Sequence, residues 1–248
     1  MSLQTLLAGH PVPVVSDPRQ TSATVHGHLR RLIMTGVLPP GTVLNQAELA
    51  KLLAVSRTPT REAFRMLQEE GLVEADLNQR PRVKGFDSDE LDTLYAARIS
   101  LECLGIHTTA GRLTAAERKE AAQLLRAMKQ AGGADHLDRW STLHDRFHEL
   151  LVIRVGSFVG RTIASYSAQS ERYRRLYGAE HPSAVEERHA EHVALLDSVI
   201  DGDRDRATRL MAAHLAATAR LVLADLDSDF EPNSITCAVD LMSRSQQS

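Results

Sequence analysis

The chain has 248 residues, 43% hydrophobic and 25% charged, with a formal net charge of −3 at pH 7. That length supports two domains with cores of their own, and the balance is that of a soluble globular protein. No apolar run approaches a bilayer span, and Cys103 and Cys237, far apart, read as reduced thiols of a cytoplasmic protein, not as a disulfide framework. Residues 1–20 lack the basic start of a signal peptide and are interrupted by Pro11 and Pro13, so a flexible N-terminal arm is expected. Residues 21–35 carry Val25, Leu29, Leu32 and Ile33 at helical spacing and end at Gly36, before Pro39-Pro40-Gly41 breaks the chain.

Residues 45–71, NQAELAKLLAVSRTPTREAFRMLQEEG, hold two short amphipathic segments around a tight polar connection. Asn45 can cap the first, with Glu48 three residues on, and Leu49, Leu52 and Leu53 form its apolar face. Ser56 or Thr58 can cap the second, and Pro59 suits its first turn. Phe64 and Leu67 face inward, while Arg57, Arg61 and Arg65 recur every four residues along one face. Two such helices, the second with arginines at its N-terminal end, can place base-reading and phosphate-binding groups in a major groove. The DNA-contacting set is expected to be Arg57, Thr58, Thr60, Arg61 and Arg65. A plain helical hairpin with a solvated arginine stripe would show the same periodicity.

Gly71 can end the second helix. Leu72 to Ala75 and Arg82 to Lys84 then read as two short strands around the turn Asp76–Pro81, a wing whose Arg80 and Arg82 can reach the DNA backbone or minor groove. Residues 17–86 contain ten Lys/Arg against seven Asp/Glu, and the rest of the chain nineteen against twenty-five, so a basic module is joined to an acidic one.

Residues 29–73, with the core SRTPTREA from Ser56 to Ala63, resemble the GntR family of bacterial transcriptional regulators. The resemblance maps the family's DNA-contacting arginines onto Arg57 and Arg61. Two positions depart from the family pattern: Ala47 stands where many relatives have arginine, and Pro81 where many have a wing-tip glycine. Pro81 has no N–H to offer to a phosphate.

From Ser88 onward helical segments are expected at about 88–110, 114–130, 135–154, 158–177, 183–201 and 203–225. Breaks fall at Gly111, Gly132-Gly133, Gly156, Gly178 to Pro182, and Gly202. Short connections imply antiparallel neighbours in a bundle. Residues 226–248 are expected as a polar tail, although Ile235 to Met242 could dock. The expected fold is mainly α: a winged helix-turn-helix over residues 21–86 with a small β-hairpin wing, then an antiparallel all-helical bundle over 88–225. His144 and His148 lie one helical turn apart, while His192 and His214 sit among apolar residues of two later helices. Imidazoles converging from three helices can bind a divalent metal. Equally, each can be a core or surface histidine with its own hydrogen bond.

The second half resembles the FCD ligand-sensing domain of the FadR branch of that family, over about residues 90–225. In that domain three histidines and an aspartate line a metal cavity, the aspartate preceding the first histidine by four. The resemblance implies His148, His192 and His214 as ligands, with His144 at the aspartate position. Asp145, off by one residue, could substitute only if the helix distorts. Four neutral imidazoles favour zinc first, or nickel or copper, and leave the ion's charge to attract an anion. Arg98 maps onto a family arginine that can meet a carboxylate effector; alternatively it pairs with Glu102 at i,i+4. Ser157 stands where the family often has asparagine. The expectation is a cytoplasmic homodimeric regulator, a repressor, in which a small organic acid at the metal alters operator binding. A metal sensor is one alternative. A metal-dependent hydrolase is another, disfavoured because Glu149 and Glu191 adjoin histidines in sequence and so point elsewhere on their helices.

Overall fold

The computed structural model describes residues 2–11, 18–74, 80–131, 137–180 and 188–244. Two compact units divide at Phe86 and Asp87. No helix among the described residues is long and apolar enough to cross a membrane.

The first unit holds helices α1 (Leu3–Leu7), α2 (Thr21–Met34), α3 (Gln46–Leu52) and α4 (Arg57–Glu69) and strands β1 (Val73–Glu74) and β2 (Arg82–Val83). The side chain of Asn45 accepts from the N–H groups of Ala47 and Glu48, fixing the start of α3. Helix α3 ends in a Schellman turn: the N–H of Val55 donates to the Ala50 carbonyl and that of Ala54 to Lys51. Ala54 occupies the left-handed position usually given to glycine, at φ 52°. Ser56 is the N-cap residue of α4, and Thr58 and Pro59 lie inside its first turn. The same turn geometry ends α4 at Gly71, φ 68°, where the N–H of Leu72 donates to Leu67. Strands β1 and β2 pair antiparallel, Val73 opposite Val83 and Glu74 opposite Arg82, and Val43 bridges to Arg82 on the other side. Ala75 of the expected first strand and residues 76–79 of the expected turn lie outside the described residues.

The core gathers Val25, Leu29 and Leu32 of α2, Leu49 of α3, Phe64 and Leu67 of α4, and Val73 and Val83 of the hairpin. Leu3 and Leu7 of α1 join it. This corrects the expected arm: Ser2 caps a short helix through the Thr5 N–H, and two leucines four apart bury on one face.

The second unit contains α5 (Ser88–Thr109), α6 (Ala115–Gln130), α7 (Leu137–Leu151), α8 (Ser157–Glu180), α9 (His189–Asp201), α10 (Arg204–Leu226) and α11 (Asn233–Arg244). The expected breaks at 132–133 and at Pro182 fall outside the described residues. Helix α5 buries most of its circumference, leaving one stripe (Asp89, Thr93, Ser100, Leu104 and His107) exposed, and packs against α7, α8, α10 and α11. Gly105 lets Val152 approach so closely that a Cβ there would lie 2.7 Å from the valine's own Cβ. At the other end of the chain, the stretch that could dock is helical. Residues 233–244 form α11, with Ile235 and Ala238 buried. Its two N-terminal amides are met from across the bundle: Asp92 accepts from Ser234 N at 2.8 Å and Ile235 N at 2.9 Å. A carboxylate there satisfies donors the helix cannot satisfy itself and complements its dipole.

Candidate functional site

In the second unit, His144 and His148 of α7, His192 of α9 and His214 of α10 bring one ring nitrogen each to within 4.8 Å of the others. All four rings are buried. Ring centroids stand 4.6 Å apart for His192 and His214, 5.3 Å for His148 and His214, and 5.1 Å for His144 and His192. Trp140 stacks on His144 at 4.6 Å, and buried Phe147 packs edge-on to His148 and His192. Among the described residues this is the one cluster of this kind, and Asp145 is not in it. Its carboxylate instead accepts from Arg174 Nη2 at 2.8 Å.

Three of the rings are oriented by partners from other helices, and His192 by the start of its own helix. His214 Nδ1 donates to Glu191 Oε2 at 2.8 Å, and His148 Nδ1 to Glu102 Oε2 at 3.4 Å. His192 is hydrogen-bonded to the backbone of Arg188, while its Nε2 is buried without a partner, as is that of His148. Burial first, then the neighbouring rings and Arg174, holds His144 neutral well below the usual imidazole range. Burial and the charges of its neighbours do the same for His192, and burial dominates over the Glu191 hydrogen bond at His214. Neutral imidazoles with Nδ1 held by an acceptor present an Nε2 lone pair, the state in which histidine ligates a metal. The residues present therefore fit a divalent ion, and the cluster could hold one.

Two expectations change here. Glu191 does point away from His192, its neighbour in sequence, but it reaches His214 on the next helix. The ion's charge would also not stand uncompensated, because Glu102 and Glu191 carboxylates lie one ring away. Glu102 is buried with Arg98, each 1% exposed, at 2.8 Å. Burial alone would raise the Glu102 carboxyl, but the Arg98 charge and the His148 hydrogen bond outweigh it and hold it at about 2. Arg98 also donates to Ser170 Oγ at 2.7 Å. Its guanidinium is thus directed at Glu102 and Ser170, as in the salt-bridge alternative. Two buried donors without a partner, Tyr95 Oη and Arg174 Nε, were not legible in the sequence.

In the first unit, Arg57, Thr58 and Arg61 are exposed at the N-terminal end of α4, and Arg80 is exposed beside the wing. Arg65 is exposed but paired with Glu69 at 2.5 Å. Arg82 is partly buried in its strand. Thr60 is a correction: it is fully buried, and its hydroxyl donates to the Ser56 carbonyl at 2.9 Å, so it packs the helix start and offers nothing to DNA.

A winged helix-turn-helix with exposed arginines at the start of its second helix, followed by a helical bundle around a histidine cluster, defines a DNA-binding regulator with a sensing domain. The chain matches the family described as bacterial regulatory proteins, gntR family, over residues 21–83, and the FCD domain over residues 93–217. It belongs to the GntR family of transcription regulators, in the FadR-like branch with a C-terminal FCD domain. It is 29% identical over 222 residues to the uncharacterized HTH-type transcriptional regulator BphR of Paraburkholderia xenovorans (strain LB400), covering 86% of this chain and 89% of that one. Over 188 residues it is 29% identical to the HTH-type transcriptional repressor RspR of Escherichia coli (strain K12), covering 75% and 82%. In fold it resembles E. coli McbR/YncC, with TM-score 0.69 at 21% identity, covering 86% of this chain and all of that one. The family regulates transcription and is not an enzyme family, which removes the hydrolase alternative.

Proposed function

We propose that this regulator binds its operator as a homodimer in the cytoplasm, represses transcription, and senses a small organic acid at a metal held by the histidine cluster. The observation that carries the sensing is the convergence of buried imidazole nitrogens without partners, beside unpartnered Tyr95 and Arg174 donors. Such groups cost stability unless something binds them. An ion satisfies lone pairs, and a carboxylate satisfies both the ion and the donors. Zinc suits the nitrogen set, ahead of nickel or copper. Repression is supported by the likeness to RspR, and dimerisation by the few bases one recognition helix can read. Arg98 acts here through Glu102 and His148 and does not touch the acid directly.

Small di- or hydroxycarboxylates are expected to raise the melting temperature of the metal-loaded protein. Saturation at a hundred times Kd contributes about 2.7 kcal/mol. The same acids should do little after chelation. Equal shifts with and without chelator would place the effector away from the metal, and a neutral sugar as the only hit would remove acid sensing. Because linkage is reciprocal, an acid that weakens operator binding must itself bind less tightly to the DNA complex.

Operator reading is expected to depend on Arg57 and Arg61. Each substitution to alanine should cost about 1–3 kcal/mol if the side chain reads a base. Arg65→Ala, whose side chain is already paired, should cost less. Mobility-shift titration at fixed salt measures this, and unchanged affinity in both Arg57→Ala and Arg61→Ala would end the major-groove docking assigned to α4.

A further inference from the structure

The four histidines are not equivalent. At His148 and His214 the Nδ1 atom faces a carboxylate, and at His192 the ring bonds to the Arg188 backbone while Nε2 is free. Those contacts place the proton on Nδ1 and leave Nε2 as a lone pair. His144 is the reverse case. Its Nδ1 lies 2.7 Å from Arg174 Nη1. A guanidinium can only donate, so this Nδ1 must accept, and the proton of the neutral ring must sit on Nε2. The nearest carboxylate that could take an Nδ1 proton, Asp145, is 3.6 Å away, too far for a hydrogen bond. Asp145 instead holds Arg174 in place through Nη2. Burial pulls the guanidinium toward neutrality, but Asp145 outweighs it and keeps Arg174 charged. Trp140 stacks on the His144 ring and limits its rotation.

We propose that His144 is not a fourth metal ligand but a hydrogen-bond donor, set in its Nε2–H form by Arg174, that selects an oxygen ligand for the position the other three histidines leave open. This rests on the metal reading above. A metal site with three imidazole lone pairs and one facing N–H accepts an oxygen that coordinates and accepts at once: a carboxylate, or water in its absence. An amine nitrogen would meet the N–H with no lone pair to spare. The contribution is therefore to the effector and its chemical class, where a fourth ligand would contribute to the metal.

The test uses the full-length protein, zinc alone, and then acetate as the oxygen probe. Histidine-labelled protein is examined by long-range 1H–15N NMR, which reports the protonated nitrogen of each ring. With zinc bound, His144 is expected to keep Nε2–H while the other three show Nε2 coordinated. His144→Phe, which preserves the stack on Trp140, should change zinc affinity by less than about tenfold, yet weaken acetate binding to the zinc-loaded protein by about tenfold or more, the loss of one hydrogen bond to a charged oxygen. Arg174→Met should free Nδ1 to take the proton, let His144 coordinate, and tighten zinc binding. If wild type binds zinc but His144 coordinates it, or His144→Phe loses zinc altogether, the donor role is overturned and the metal reading stands. If wild type binds no zinc, both fall.

Discussion

His192→Ala is expected to abolish stoichiometric metal binding, one divalent ion per chain in the wild type and none in the variant. His192 is 1% exposed, and its Nε2 has no partner among protein groups. Losing it leaves two of three lone pairs, below what a transition ion needs to compete with water. The affinity loss should exceed the 10–100-fold that follows removal of an outer hydrogen-bond partner, such as Glu102→Gln or Glu191→Gln. Elemental analysis of protein grown in metal-replete medium, with a zinc competition titration, measures both. Circular dichroism checks that the bundle still forms. The opposite reading makes a distinct prediction. If the rings are only a polar core, wild type carries no ion, and His192→Leu should be stabilising, because an unmet buried nitrogen costs about 1–3 kcal/mol.

Arg98→Met is expected to destabilise the second unit by about 3–5 kcal/mol. It leaves the Glu102 carboxylate buried with its main countercharge gone. The double variant Arg98→Met, Glu102→Met should recover most of that loss, since removing both charges avoids the unpaired one. The pH dependence has a definite sign. In the folded protein the Arg98 charge and the His148 hydrogen bond hold the Glu102 carboxyl at about 2, below its ordinary value of 4.5. Its contribution is therefore complete above about pH 4.5 and declines as pH falls from there through 2. In Arg98→Met burial dominates and raises that carboxyl, so the gap between wild type and variant narrows in acid. Urea unfolding at neutral pH and near pH 4 measures the gap. A loss under 1 kcal/mol at neutral pH would mean that Arg98 is not committed to Glu102 and would return it to the effector pocket.

Much of the first unit is legible in the sequence because its devices are local. Asn45, Pro59 and Gly71 act close to where they stand: Asn45 accepts from open amides at a helix start, Pro59 fills a first-turn position that needs no N–H, and Gly71 takes the left-handed turn that meets open carbonyls at a helix end. The i,i+4 spacing places His144 and His148 on one face whatever surrounds them. The three arginines share a face for the same reason, but Thr60 shows the limit: one position inside the same motif turns inward and spends its hydroxyl on Ser56. The ends of the chain are less legible because what seats them is tertiary. Two leucines suffice to seat α1, and α11 docks through Asp92, a carboxylate 142 residues earlier in the chain.

The sequence by itself determined which residue types could meet: four histidines on three helices, an arginine four before a glutamate, and a recognition helix with arginines at its start. Only the tertiary structure decided what each imidazole can do. A neutral ring has one proton and two places for it, and the choice belongs to the neighbour. Glu191 crosses to His214 from the adjacent helix, and Glu102 reaches His148 from α5. Arg174 comes from α8 to donate to His144 and reverses its chemistry. Those partners lie 23, 46 and 30 residues away in sequence. No periodicity spans such separations, because the contact is set by how helices pack and not by how one helix turns.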